Sequence, residues 1–190
     1  GEILSSQTRR ICELQGYSEE MLVPIMTAHR VLMTLVRNDA SDDEIKAGYR
    51  TLLEVQLKTS HAKGFIDEGQ LAENLESLND GYPEFLTPWM DAFIKLDPLD
   101  YLGRVECPVL ALNGSHDVQV LLELNLSAIE RSILEAGGQV TTIAYPELNH
   151  LFQSSTTGAV SEYVEIETTI EPIVLADITR WILEVVDSKE

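Results

Sequence analysis

Cysteine is nearly missing from this chain of 190 residues: there are two, Cys12 and Cys107, neither in a CxxC pair nor beside a histidine cluster. A disulfide scaffold is excluded, and zinc finds no ligand spacing. Basic residues are also scarce, with 13 Lys and Arg against 32 Asp and Glu, a formal net charge of −19. The deficit is even along the chain, 9 basic against 18 acidic in residues 1–100 and 4 against 14 in residues 101–190. A surface of that sign repels phosphate backbones, so no nucleic acid partner is expected. No apolar run reaches the roughly 18 residues of a membrane span, and the opening GEILSSQTRR has no signal-peptide layout. No membrane association is expected, and the chain reads as a soluble protein of the cytoplasm or a bacterial periplasm. Both cysteines read as small buried apolar residues.

The composition itself is ordinary for a globular protein, with 44% hydrophobic residues and only 18 Gly and Pro together. From Ser6 to Gln15 and from Met21 to Val36 apolar residues return every three or four positions (Leu22, Ile25, Met26, Leu32, Met33, Leu35, Val36), the helical period. Ser18, Glu19 and Glu20 supply an N-cap and an acidic first turn. Ser41 and Glu44 fit a capping box for a helix running to about His61, with Ile45, Tyr49, Leu52, Leu53 and Val55 inward. A further helix begins near Asp67 and runs through Leu71, Leu75 and Leu78. Residues 1–80 therefore predict an all-helical lobe.

Pro83, Pro88 and Pro98 punctuate the next segment, and Trp89, Phe93 and Leu96 form a short helical face read as core. The run VECPVLALNG fits a strand buried on both faces. Residues 119–136 form an amphipathic helix stopped by Gly137 and Gly138, VTTIAY is a second strand, and Pro172 to Val186 is a helix with proline in its first turn and Trp181 inward. Strand, helix, strand, helix at these lengths implies a βαβ crossover and a parallel pair. The fold class expected is α/β, a mostly helical N-terminal part followed by a βαβα segment.

Asp117 and His150 then stand just past the carboxyl ends of the two strands, where open α/β sheets place catalytic groups. An imidazole is a competent general base only when oriented and held in one tautomer, and a carboxylate accepting from Nδ1–H does both. His116 reads as a solvated loop residue, and Glu162, Glu165 and Glu167 as a solvated face. His29 and His61 carry no readable pattern. No metal and no cofactor are expected.

The stretch CPVLALNGSHDVQV, the helix with Asn125 and Ala128, and PELNHLFQ followed by TGAVSEYVEIETTIEPIVLADITRWI resemble the C-terminal part of bacterial α/β-hydrolase-fold enzymes of the esterase and serine-aminopeptidase-like group. The likeness covers residues 85–185 well and the earlier residues more loosely. It implies a chain order Ser, Asp, His, with Asp117 as triad acid, His150 as triad base, Gly114 as the glycine that lets the chain leave its strand, and residues 1–80 as a helical cap. It further implies a small-molecule ester or amide as substrate.

The pattern departs at one point: no GxSxG occurs anywhere, and Ser115 has only one neighbouring glycine and lies on the acid's own loop. Together with a first residue that is Gly rather than Met, this leads to the expectation of a C-terminal fragment, residues 1–80 cap and 81–190 core, inactive by itself because nucleophile and oxyanion hole lie elsewhere. The alternative is a stand-alone association domain that covers its open sheet edge by forming a homodimer.

Overall fold

The computed structural model describes residues 2–78 and 87–187 and divides the chain into two units, residues 1–96 and 97–190. Pro83, read as part of a bridge, lies outside the described residues. So does the expected division at 80/81.

The first unit is helical. Helices α1 (Glu2–Leu14), α2 (Glu19–Arg37), α3 (Asp42–Ala62), α4 (Glu68–Ser77) and α5 (Pro88–Lys95) follow in order. Helix α2 is the centre: it packs on α3, with α1 and α5 also against it, while α4 sits on α3. Its inward stripe of Ile25, Ala28, Leu32, Met33 and Val36 meets Ile45 and Leu52 of α3 and Ile94 of α5. The capping box at Ser41 forms as the sequence suggests, the hydroxyl accepting from Glu44 N–H and the Glu44 carboxylate accepting from Ser41 N–H at 2.9 Å. Asp67 and Gln70 make a second one at the start of α4. Ser18 caps α2 by backbone conformation alone, without a side-chain bond.

Helix α5 corrects one expectation. Trp89 is 68% exposed and stacks on Phe93 at 5.3 Å between centroids, and it is Ile94 that is fully buried. Trp89, Phe93 and Leu96 are one face of a short helix, but the neighbouring face carrying Met90 and Ile94 is the one turned to α2 and its surroundings.

His29, also in this unit, is buried, with its Nδ1 3.2 Å from the Ser5 hydroxyl of α1. Burial pushes the imidazole below its ordinary value. The folded protein therefore holds His29 neutral where the unfolded chain takes up a proton, near pH 6.5. Stability should be unaffected by this group above that pH and fall below it, by up to about 1.4 kcal/mol per pH unit. Urea unfolding at pH 7.5 and 5.0 checks this: wild type should lose more stability between the two than His29→Gln does, and equal losses would rule the effect out.

The second unit is a small mixed α/β arrangement. It begins with a single turn, α6 (Leu99–Leu102), and continues with β1 (Val109–Gly114), α7 (Leu122–Glu135), β2 (Val140–Tyr145), a 3-10 turn (Val160–Glu165) and α8 (Pro172–Asp187). Strands β1 and β2 pair in parallel, from Val109 beside Val140 to Gly114 beside Tyr145, with α7 as the crossover packed on both. Leu126 and Ile133 are the buried residues of α7. Helix α8 contributes Val174 and Ile178 to a cluster with Tyr145, Leu148, Leu112, Ile143 and Phe152, and Tyr145 Oη donates to Asp177 Oδ2 at 3.0 Å.

Two further expectations change. Strand β1 is not covered on both faces: Val109, Leu110 and Leu112 are only partly buried. Cys107, one residue before Pro108 at the strand's entrance, is exposed, whereas Cys12 is buried as expected. Trp181 is half-buried on α8, and Val174 is that helix's buried residue.

Candidate active site

Because β1 and β2 are parallel and in register, the chain leaves both at the same end of the sheet. The β1 strand ends at Gly114, and a Cβ built there would lie 2.6 Å from the carbonyl carbon of Leu148, 2.9 Å from Asn149 O, and closer still to Leu148 O. Only glycine permits so close an approach of two main chains. The two loops are then stitched together: Ser115 N–H donates to Tyr145 O at 2.8 Å, His116 N–H to Leu148 O at 3.0 Å, and Glu147 N–H to the Ser115 hydroxyl at 2.8 Å. Ser115 is thus a loop-to-loop link.

On this platform His150 Nδ1 lies 2.9 Å from Asp117 Oδ2. Asp117 is buried and receives three more donors: the Asn113 amide at 3.0 Å on Oδ2, and the backbone N–H groups of Gln119 at 2.9 Å and Val120 at 2.8 Å on Oδ1. Each carboxylate oxygen accepts two bonds, so the side chain has no freedom to turn away from the imidazole. Its acceptor-only chemistry assigns the proton of the pair to Nδ1 and leaves Nε2 with the lone pair. None of the described residues hydrogen-bonds that nitrogen, and the His150 side chain is 37% exposed against 5% for Asp117.

The His150 loop is rigid for a different reason. Asn149 is fully buried, and its carbonyl oxygen accepts from the N–H groups of Leu151 at 2.9 Å and Gln153 at 3.0 Å while its amide donates to Gln153 Oε1. The Gln153 amide in turn donates to Thr168 O at 2.9 Å. Glu147 and Phe152, both at positive φ, turn the chain on either side, and Leu148 bridges Ser154. A side chain that replaces a backbone partner in this way makes a turn that ordinary residues would not hold.

A third segment buttresses both loops. His116 is no solvated bystander, since its Nδ1 is 2.9 Å from Ser155 O. Gly158, at φ +79°, lies directly beneath the main chain of His116. Glu162, expected on a solvated face, caps that segment by accepting from Thr156 N–H at 3.1 Å, Thr157 N–H at 3.0 Å and the Thr157 hydroxyl. The next residue, Tyr163, accepts from the Gln119 amide at 3.0 Å. His61, by contrast, is structural in the helical unit, its Nδ1 3.1 Å from Ile66 O.

Of the sequence candidates, then, Asp117 and His150 are brought together. Asn113, Asn149, Gln153 and Tyr163 escaped the sequence reading; the available signal was an amide side chain beside His150, in LNHLFQ, and another four positions before Asp117, in LALNG. Among the described residues no group of His, Cys, Asp and Glu is arranged to hold a metal ion, and no helix is long and apolar enough to cross a membrane. Comparison with protein-family models, with curated proteins and with solved structures finds no match to this chain.

Proposed function

We propose that the second unit carries the acid and base of a serine hydrolase acting on carboxylic esters or small amides, within an α/β-hydrolase fold, with the nucleophilic serine supplied from outside these 190 residues. The observation that supports this most is the Asp117–His150 bond of 2.9 Å at the adjoining ends of two parallel strands, with Asp117 anchored by two backbone N–H groups. In that role His150 Nε2 takes the serine proton as the hydroxyl attacks the acyl carbon and returns it to the leaving alkoxide or amine. Asp117 holds the tautomer and stabilises the imidazolium that forms.

The test is active-site labelling. The 190-residue chain alone should not react with a fluorophosphonate, because it lacks the activated serine. The product of the source gene, including any sequence upstream of Gly1, should react at one serine, and His150→Ala should abolish the labelling. Labelling that survives His150→Ala removes this reading.

A second reading is favoured by a separate observation. Among the described residues no third strand pairs with the outer edges of β1 and β2, and Leu175, Ile182, Leu183 and Val186 form an exposed apolar stripe along α8. Open edges and apolar stripes are surfaces for association, and a homodimer would cover them. Light scattering that gives a folded monomer at micromolar concentration excludes it.

A further inference from the structure

Asp117 and His150 belong to different loops, and the bond between their side chains is only as constant as the distance between those loops. Reactive groups need to be held within about 0.5 Å and 10–20° of the working geometry by neighbours that are themselves fixed. Asn113 and the two backbone N–H groups fix Asp117, and Asn149 with Gln153 fixes the His150 loop, but each set acts within its own loop.

The loops are stitched at Ser115 and His116, close to their strands, and a further side chain joins them from a third segment. Tyr163 projects from the 3-10 turn, half-buried, and its hydroxyl accepts from Gln119 Nε2 at 3.0 Å. Gln119 is also the residue whose backbone N–H holds Asp117 Oδ1. The segment that carries Tyr163 is tied to the base loop through the main chain, Leu148 bridging Ser154 and Ser155 N–H donating to Glu147 O at 2.9 Å. The turn that carries Tyr163 is itself anchored through Glu162 to Thr156 and Thr157, next to the residue that bonds His116.

We propose that Tyr163 is a positioning residue for the Asp117–His150 pair: its hydroxyl, accepting from Gln119, ties the acid loop to the segment that continues from the base loop and is bonded to it. This rests on reading the pair as acid and base. Tyr163 touches no reacting atom in this scheme; it acts through Gln119 and the backbone.

The signature to follow is the Nδ1–H proton of His150 by NMR on the 190-residue chain, recognised as the histidine ring signal that disappears in Asp117→Asn. Tyr163→Phe keeps the ring and removes only the hydroxyl. Its Nδ1–H proton should exchange with solvent about tenfold faster than in wild type, the scale of one lost hydrogen bond, while circular dichroism stays unchanged. Gln119→Leu should give a similar increase, and the double variant should be no faster than either single one, because both remove the same link. If Tyr163→Phe disturbs the fold, Gln119→Leu carries the test alone, its side chain being only half-buried. Exchange at the wild-type rate in the folded variants, or additive effects in the double one, overturns the proposal. A wild-type chain without any Asp117-dependent signal is a different result: the pair itself then fails, and the proposal falls with it.

Discussion

Replacing Asp117 by asparagine is expected to leave the second unit folded and, with Asp117 and His150 acting as the proposed acid and base, to cost the full-length protein about four orders of magnitude in kcat on an ester. The carboxylate accepts from four donors, and two of them, Gln119 N–H and Val120 N–H, are backbone groups that cannot turn. The amide oxygen of an asparagine must stay with those two. Its NH2 then occupies the place of Oδ2, facing the Asn113 amide and His150 Nδ1, donor against donor. His150 can relieve the conflict only by presenting a bare Nδ1, which moves its proton to Nε2, the nitrogen that accepts from serine in the proposed mechanism. Asp117→Ala should behave differently. It leaves buried donors without acceptors, at about 1–3 kcal/mol for each, so the unit should lose stability as well as rate. Kinetics on a p-nitrophenyl ester combined with thermal melting of both variants separates the two effects. An asparagine variant within tenfold of wild type would mean that the pair does not govern catalysis.

How far the sequence announces this arrangement depends on whether a feature is periodic. The strands, the crossover helix and the capping boxes at Ser41 and Asp67 are local patterns, and Gly137 and Gly138 close α7 where the pattern stops. The 33 positions between Asp117 and His150 span one strand–helix–strand step, so their meeting follows from topology. What stays hidden in the sequence is whatever connects one loop to another. Nothing about Tyr163 in the primary structure points to Gln119, 44 positions earlier. Nor do the positive φ angles at Glu147 and Phe152 betray themselves, because neither is glycine and the buried Asn149 supplies the turn instead.

Helix α5 shows the limit of periodicity itself. Its eight residues carry two apolar faces, Trp89 with Phe93 and Met90 with Ile94, at equal helical spacing. Size favours the aromatic pair as the buried one, but the structure buries Ile94 and leaves Trp89 exposed. Choosing between two amphipathic faces requires the shape of the surface they pack on. A single sequence does not contain it.

The three glycines Gly114, Gly137 and Gly158 offer a test of how tightly the site's loops are pressed together. Gly137 and Gly158 share φ +79°, but an alanine methyl at 137 would meet nothing within 4 Å, whereas at 158 it would lie 2.8 Å from His116 C and closer to His116 O. Gly137→Ala should therefore cost only the conformational strain, about 1–2 kcal/mol. Gly158→Ala should cost that and a clash with main chain that has no rotamer to escape into, at least about 3 kcal/mol altogether. Gly114→Ala isolates the remaining term, since its conformation is ordinary and the obstacle is the main chain of Leu148 and Asn149 alone. Thermal melting should accordingly rank Gly137→Ala as the mildest, with the other two well below it. The same two severe variants should weaken the Asp117–His150 contact, because Gly114 and Gly158 are where the acid loop is pressed against its neighbours. If Gly158→Ala melts with Gly137→Ala, the strap under His116 yields without resistance, and the pair must be held by Asn113, Asn149 and their own loops.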